Sequence, residues 1–315
     1  MKVIGIDLGG TWIKMGVVTE SGIQSKKIFK TNLQEGINSV INRIVYAILE
    51  IKSSSKEDWI IGLGSPGTIN RKEGKIIFSP NFEDWINVPI CSIIEKYTHC
   101  PVFIENDAKA SAYGEKKFGA GRNIDTFFLL TLGTGVGGGA VINGEVLIGG
   151  TGYGGELGHI CVFPDGLPCG CGSKGCLEAY VSKSGIINHA ETYREIYPDS
   201  LVFGNNGSSP ISIKNVFSLD EKNEKLSRII VSKVIEALGI GIGSLVNIFN
   251  PEKVILSGGI SLSIQKFIPS IVKIANNHTM KSMKNTFEIV TSILQEDAGI
   301  LGAGSKAMEQ FLLLE

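Results

Sequence analysis

No stretch of this 315-residue sequence approaches the roughly 20 consecutive apolar residues of a membrane span, so no membrane anchor is expected. Net charge is nearly absent: 30 Lys and Arg stand against 31 Asp and Glu. There is no basic stripe of the kind that makes the phosphate contacts of a nucleic-acid binder. The opening MKVIGIDLGG has too short an apolar run for a secretory signal and no cleavage-site pattern, which points to the cytoplasm. No G-x-x-x-x-G-K-S/T occurs, which excludes the P-loop class. A Pro- and Ser-rich linker is also missing. The segment GNNGSSP (204–210) is short and reads as a surface loop. Two domains, which this length suits, must then be interleaved, with the chain crossing between them more than once.

What is abundant is glycine, 40 residues, grouped in GIDLGGT, GLGSPGT, GTGVGGG, GGTGYGGELGH, GIGIGS, SGG and GILGAG. Each cluster abuts an apolar run, as expected where turns approach a ligand or a neighbouring element closely. Residues 2–6 and 13–18 read as strands around the turn Asp7–Thr11. Apolar residues from Ile37 to Leu49 recur at helical spacing. VFIEND reads as a strand running into a helix near Asn106. FFLLTL, GTGVGGG and AVI repeat the opening plan of strand, Gly turn and strand, which suggests two related α/β halves. Gly133, Gly135 and Gly138 also fit G-x-G-x-x-G, but no helix follows them. Instead Asn143-Gly144 sits between two apolar runs, the mark of a β-hairpin, and this removes the dinucleotide reading. Helices are expected over 226–249 and 299–313, with a strand at 253–256. The small residues Gly302, Ala303 and Gly304 suit close packing at the start of the last helix.

Three groups of residues can carry chemistry. In Asp7-Leu8-Gly9-Gly10-Thr11 the backbone N–H groups and the threonine hydroxyl can hold phosphate oxygens, Lys14 can add a charge, and Asp7 can hold hydrated Mg²⁺. The alternative is an ordinary hairpin turn. Paired with GTGVGGG, two such hairpins can clamp a polyphosphate. Asp107, at the end of an apolar strand, can take the proton of an attacking hydroxyl or serve only as a helix cap. His159, Cys169, Cys171 and Cys176 form a compact H-x9-C-x-C-x4-C loop that suits structural zinc. Disulfides are disfavoured in a reducing compartment. Cys161 is a rival ligand, otherwise grouped with Cys91 and Cys100 as an ordinary buried thiol. His99, His189 and His278 read as surface or structural residues, and Trp12, Trp59 and Trp85 as packing, with Trp85 also placed to line a pocket.

Taken in order, DLGGT, GLGSPG, END, the run from Leu132 to His159, CGCGSKGCLE and SGG resemble the ROK family (repressors, open reading frames, kinases) over essentially the whole chain. The resemblance implies an α/β, actin-like (ribonuclease H-like) two-domain sugar kinase fold around a cleft. The first domain would span 1–118 with 300–315 and the second, carrying the zinc loop, 119–299. It implies phosphorylation of glucose at the 6-hydroxyl by ATP with Mg²⁺, with Asp107 as base. Gly67, Asn81, Asn106, Asp107, Glu156, His159 and Glu178 would contact the sugar. Asp7, Gly9, Gly10, Thr11, Lys14, Gly133, Thr134, Gly135, Gly258 and Gly259 would face the nucleotide. His159, Cys169, Cys171 and Cys176 match the family's zinc ligands. Other hexoses and N-acetylhexosamines, and polyphosphate as donor, share these motifs. A sugar-sensing regulator is disfavoured because DLGGT begins at residue 7, leaving no room for a helix-turn-helix. A homodimer or homotetramer is expected.

Overall fold

Strand β1 (Lys2–Leu8) is buried on both faces, as suits a strand with a parallel neighbour and a helix over it. The structure is a computed structural model that describes residues 1–53, 57–79, 82, 84–204 and 210–314. From β1 the chain turns through Gly9 into β2 (Trp12–Thr19), β3 (Gly22–Lys30), α1 (Ile37–Lys52) and β4 (Trp59–Ser65). A small antiparallel sheet follows, made of β5 (Thr68–Asn70), β6 (Lys75–Phe78) and β7 (Ile86–Val88). Then come α2 (Ile90–Thr98), β8 (Val102–Asn106) and α3 (Asp107–Phe118). The second half runs β9 (Phe127–Leu132), β10 (Val136–Ile142) and β11 (Glu145–Val146), then α4 (Glu178–Val181), α5 (Lys183–Glu191) and α6 (Ile213–Glu221). It ends with α7 (Lys225–Phe249), β12 (Lys253–Ser257), α8 (Ser261–Ile264), α9 (Ile268–Asn277), β13 (Glu288–Thr291) and α10 (Ala298–Leu312).

The two main sheets have one plan. Their strand orders are β3-β2-β1-β4-β8 and β11-β10-β9-β12-β13. In each, the first three strands form an antiparallel meander and the last two run parallel to the first. The expected echo between halves is therefore topological. Asn143 and Gly144 both have positive φ, the geometry of the tight hairpin turn joining β10 to β11.

Helix α10 returns to the first sheet and lies across β1 and β4, with α3 alongside. Only glycine permits this approach: a Cβ at Gly5 or Gly62 would stand 2.0 Å from the carbonyl oxygen of Ile300 or Ala303. Helix α7 is long and apolar enough to cross a membrane, but most of that stretch is buried in the core of the second half, against α9 and α6. The chain crosses between halves after α3 and again after β13. Both crossings meet at Glu115, fully buried, whose carboxylate accepts hydrogen bonds from Ala120 N (2.8 Å) and from Ser292 Oγ.

Two expectations are corrected, at Trp12 and Cys161. Trp12 is 45% exposed at the hairpin tip rather than packed. Trp85 is buried against Phe82 in the first core, as the packing reading expects, and it lines neither of the two cavities described below. Cys161 is exposed, not buried.

Candidate active site

The strand order brings the carboxyl ends of β1, β8, β9 and β12 to one cleft, where α/β proteins bind ligands. Its volume is about 510 Å³, and it is lined by Asp7, Lys14, Asp107, Ser111, Thr131, Ser257, Gly258, Gly259, Gln295 and Glu296, among others. A second cavity of about 700 Å³ shares Gly259 and Leu262 with it. Gly133, Thr134, Lys183, Ile211, Ile213 and Lys214 line that one. Gly9, Gly10 and Thr11 form the tip of the β1–β2 hairpin, beyond the cleft lining, with the Gly9 carbonyl accepting from Thr31 Oγ1 at 2.7 Å.

The cap of the helix that Asp107 opens is the residue before it. Asn106 caps α3, its Oδ1 accepting from Ala108 N (3.1 Å) and Lys109 N (3.2 Å). Asp107 is thus the first helical residue, with one oxygen on Ala108 N at 2.8 Å. Burial pushes its carboxyl pKa up, Ala108 N–H pulls it back, and the charge of Glu156 raises it further. Across the cleft, burial and then the facing Asp107 push Asp7 up to about 6, while Lys14 opposes them. Lys14 lies 4.0 Å from Asp7 and 3.3 Å from Glu296. Asp7, whose proton affinity the facing Asp107 raises, stands beside phosphate-sized space, and such a pair of carboxylates fits a hydrated divalent cation.

The four residues expected to hold zinc converge. The donor atoms of His159, Cys169, Cys171 and Cys176 lie within 4.8 Å of one another, and Cys161 is outside this group. Cys171 and Cys176 Sγ are 3.7 Å apart. A tetrahedral zinc with bonds of about 2.3 Å sets its sulfurs about 3.8 Å apart, so the donors fit the ion. His159 turns Nδ1 toward Cys169 Sγ (3.7 Å), which leaves its other ring nitrogen for a ligand. Glu178 joins this loop to the second hairpin: Oε2 accepts from Val136 N at 2.8 Å and Oε1 from Cys169 Sγ at 3.5 Å.

Of the other sugar-side residues, Gly67 adopts φ +91° and its carbonyl accepts from Asn106 Nδ2 at 3.3 Å. Glu156 is exposed at the end of the Gly149–Gly155 segment. Asn81 lies outside the described residues. Sequence reasoning missed Ser111, Thr131, Ser257, Gln295 and Glu296 in the cleft, and Lys183, Ile211, Ile213 and Lys214 beside it. Gln295 had a detectable oddity only in the backbone, a positive φ of 50° in a residue other than glycine.

Residues 3–309 match the ROK family. The chain belongs to the ROK family. It is 43% identical to a glucokinase of Thermotoga maritima, over 98% of each chain. It is 29% identical to a xylose repressor of Bacillus subtilis, covering 98% of this chain and 77% of that one. Its fold is similar to the crystal structure of a ROK family glucokinase from Streptomyces griseus in complex with glucose and AMPPNP. That match has a TM-score of 0.83 and 30% identity, over 98% of this chain and all of that one. The actin-like two-domain arrangement expected of this ROK protein is the one its two matched sheets and its neighbours share.

Proposed function

We propose that this ROK protein phosphorylates glucose on the 6-hydroxyl with ATP, Asp107 acting as general base. The observation that carries the reading is Asp107 itself, a half-buried carboxylate one residue past the Asn106 cap and facing Asp7 across the cleft. The 6-oxygen attacks the γ-phosphorus, the bond to the ADP oxygen breaks, and the hydroxyl proton passes to Asp107. Burial favours this, because a carboxylate with raised proton affinity is the better base near neutral pH. Asn106, Glu156, His159, Glu178 and Gly67 hold the other hydroxyls. Gly258 and Gly259, with Lys14 and the tip Gly9–Thr11, take the phosphates, and Gly133 to Gly135 border the nucleoside space. Asp7 would hold Mg²⁺, which would supply charge neutralisation on the phosphates. His159, Cys169, Cys171 and Cys176 would hold a structural zinc, and the loop they close would keep Glu178 and His159 in place. The two sheets, with α10 returning to the first, support domains of 1–118 with 300–315 and of 119–299, closing to exclude water.

Two relatives support the substrate: a near-full-length glucokinase and a structural neighbour holding glucose with an ATP analogue. The test is ADP release measured across hexoses and N-acetylhexosamines, with ATP against polyphosphate. Glucose with ATP should give the highest kcat/KM. A higher value for N-acetylmannosamine or mannose would move the assignment to that sugar.

A further inference from the structure

Glu156 follows a segment, Gly149 to Gly155, that holds five glycines in seven residues and no regular element. Such a chain loses much entropy when it is fixed, so something must hold it if Glu156 is to meet a ligand in one geometry. The holder comes from the other half of the molecule. Arg71, in the turn between β5 and β6, donates from Nη1 to the Gly152 carbonyl at 3.0 Å. Its remaining donors grip Glu105 on β8 in a forked pair, Nε to Oε2 at 2.8 Å and Nη2 to Oε1. The pair is largely buried, with 17% of the Arg71 side chain and 9% of the Glu105 side chain exposed. Glu105 Oε1 also accepts from Asn106 N at 2.7 Å, at the start of the Asp107 helix. Gly152 has φ +86°, and a Cβ there would lie 3.2 Å from Arg71 Nη1. The close approach needs glycine at that point. Lys109, 2% exposed, runs beside the same segment, its Cε 3.7 Å from where a Cβ of Gly155 would be.

We propose that Arg71 is a positioning residue for the sugar site: pinned by Glu105, it clamps the Gly152 carbonyl and so fixes Glu156 relative to Asn106 and Asp107. The planar fork of arginine suits this, since one guanidinium can serve a carboxylate and a carbonyl at once. Arg71 touches no reacting atom. Its effect reaches the sugar through the loop, and this rests on the kinase reading above.

Arg71→Met alone strands a buried carboxylate, so the decisive variant is the double Arg71→Met, Glu105→Gln. KM for glucose should rise about 10-fold or more while KM for ATP moves by less than about 2-fold and kcat by less than about 3-fold. Amide hydrogen exchange over 149–156, read without substrate, should quicken by about 10-fold or more. Arg71→Lys keeps the charge but cannot span both partners, and should lie nearer the double variant than the wild type. Unchanged exchange at 149–156 in the folded double variant would overturn the clamp, as would equal rises in both KM values. A wild type that phosphorylates no sugar would end the kinase reading, while the exchange measurement would still decide the clamp.

Discussion

The two halves set the same backbone lattice to different work. In the first, Asp7 pairs with Lys14 across β1 and β2, one step before Leu8 and Ile13. At the matching place in the second, Thr131 pairs with Gly137 across β9 and β10, one step before Leu132 and Val136. The parallel neighbours correspond too, Gly64 beside Asp7 and Ser257 beside Thr131. At these matched positions the first half carries charge and the second small neutral groups. The reason for the asymmetry is α3. A Cβ at Gly137 would come within 2.4 Å of Thr131 Oγ1 and 2.9 Å of Ala108 Cβ, so where the first half carries a lysine the second clears space for its paired threonine and for the helix that presents Asp107. A duplicated fold can concentrate reactive groups in one copy and leave the other to make room for them.

Breaking the comparison at its centre should have the largest effect. Asp107→Asn should lower kcat by about 10² to 10⁴-fold while glucose still binds, measured by calorimetry beside the coupled assay. A variant that keeps most of its kcat removes Asp107 from the role of base. Next comes the charge of the first half. The folded pKa of Asp7 is raised, so its neutral form favours the folded state. That contribution is whole below about pH 4 and is lost as pH rises toward about 6. Asp7→Asn should therefore gain stability over wild type across that window, on the order of 2–3 kcal/mol, in metal-free denaturant titrations. A difference that stays flat with pH removes the buried charge from the account. The smallest effects compare the lattice partners directly. Gly137→Ala should cost about 1–3 kcal/mol of stability by pressing on Thr131 Oγ1 and Ala108. Lys14→Ala should cost under about 1 kcal/mol and instead raise KM for ATP, because its pairs are partly solvated. Equal stability losses at the two positions would undo the contrast.

Much of this was legible in residue order. The Gly turns, Asn143-Gly144, the Cys loop and the END segment are local signals, and local signals survive in sequence. β3 was invisible because it is an outer strand with Lys26, Lys27 and Lys30 on it and little buried surface. Trp12 was misjudged because hydrophobicity says nothing of a side chain at a hairpin tip. GTGVGGG was half understood. A Cβ at Gly133 would meet nothing within 4 Å, as a ligand-facing turn requires, but at Gly139 it would strike Ala112, and at Gly138 Leu157. Those later glycines serve packing, which depends on residues far from them in the chain. Arg71 gave no sign because its partners lie 34 and 81 residues away.

The bare backbone contacts of α10 also bear on how the molecule is made. Gly5 and Gly62 sit in strands near the start of the chain, yet the carbonyls that cover them belong to Ile300 and Ala303. During synthesis the first sheet waits, one face without its helix, until about 300 residues have emerged. Pairings of such long sequence separation close slowly and late. The sheet that holds β1 and β4 is therefore finished only after most of the other sheet has been made, and α10 is the piece that finishes it.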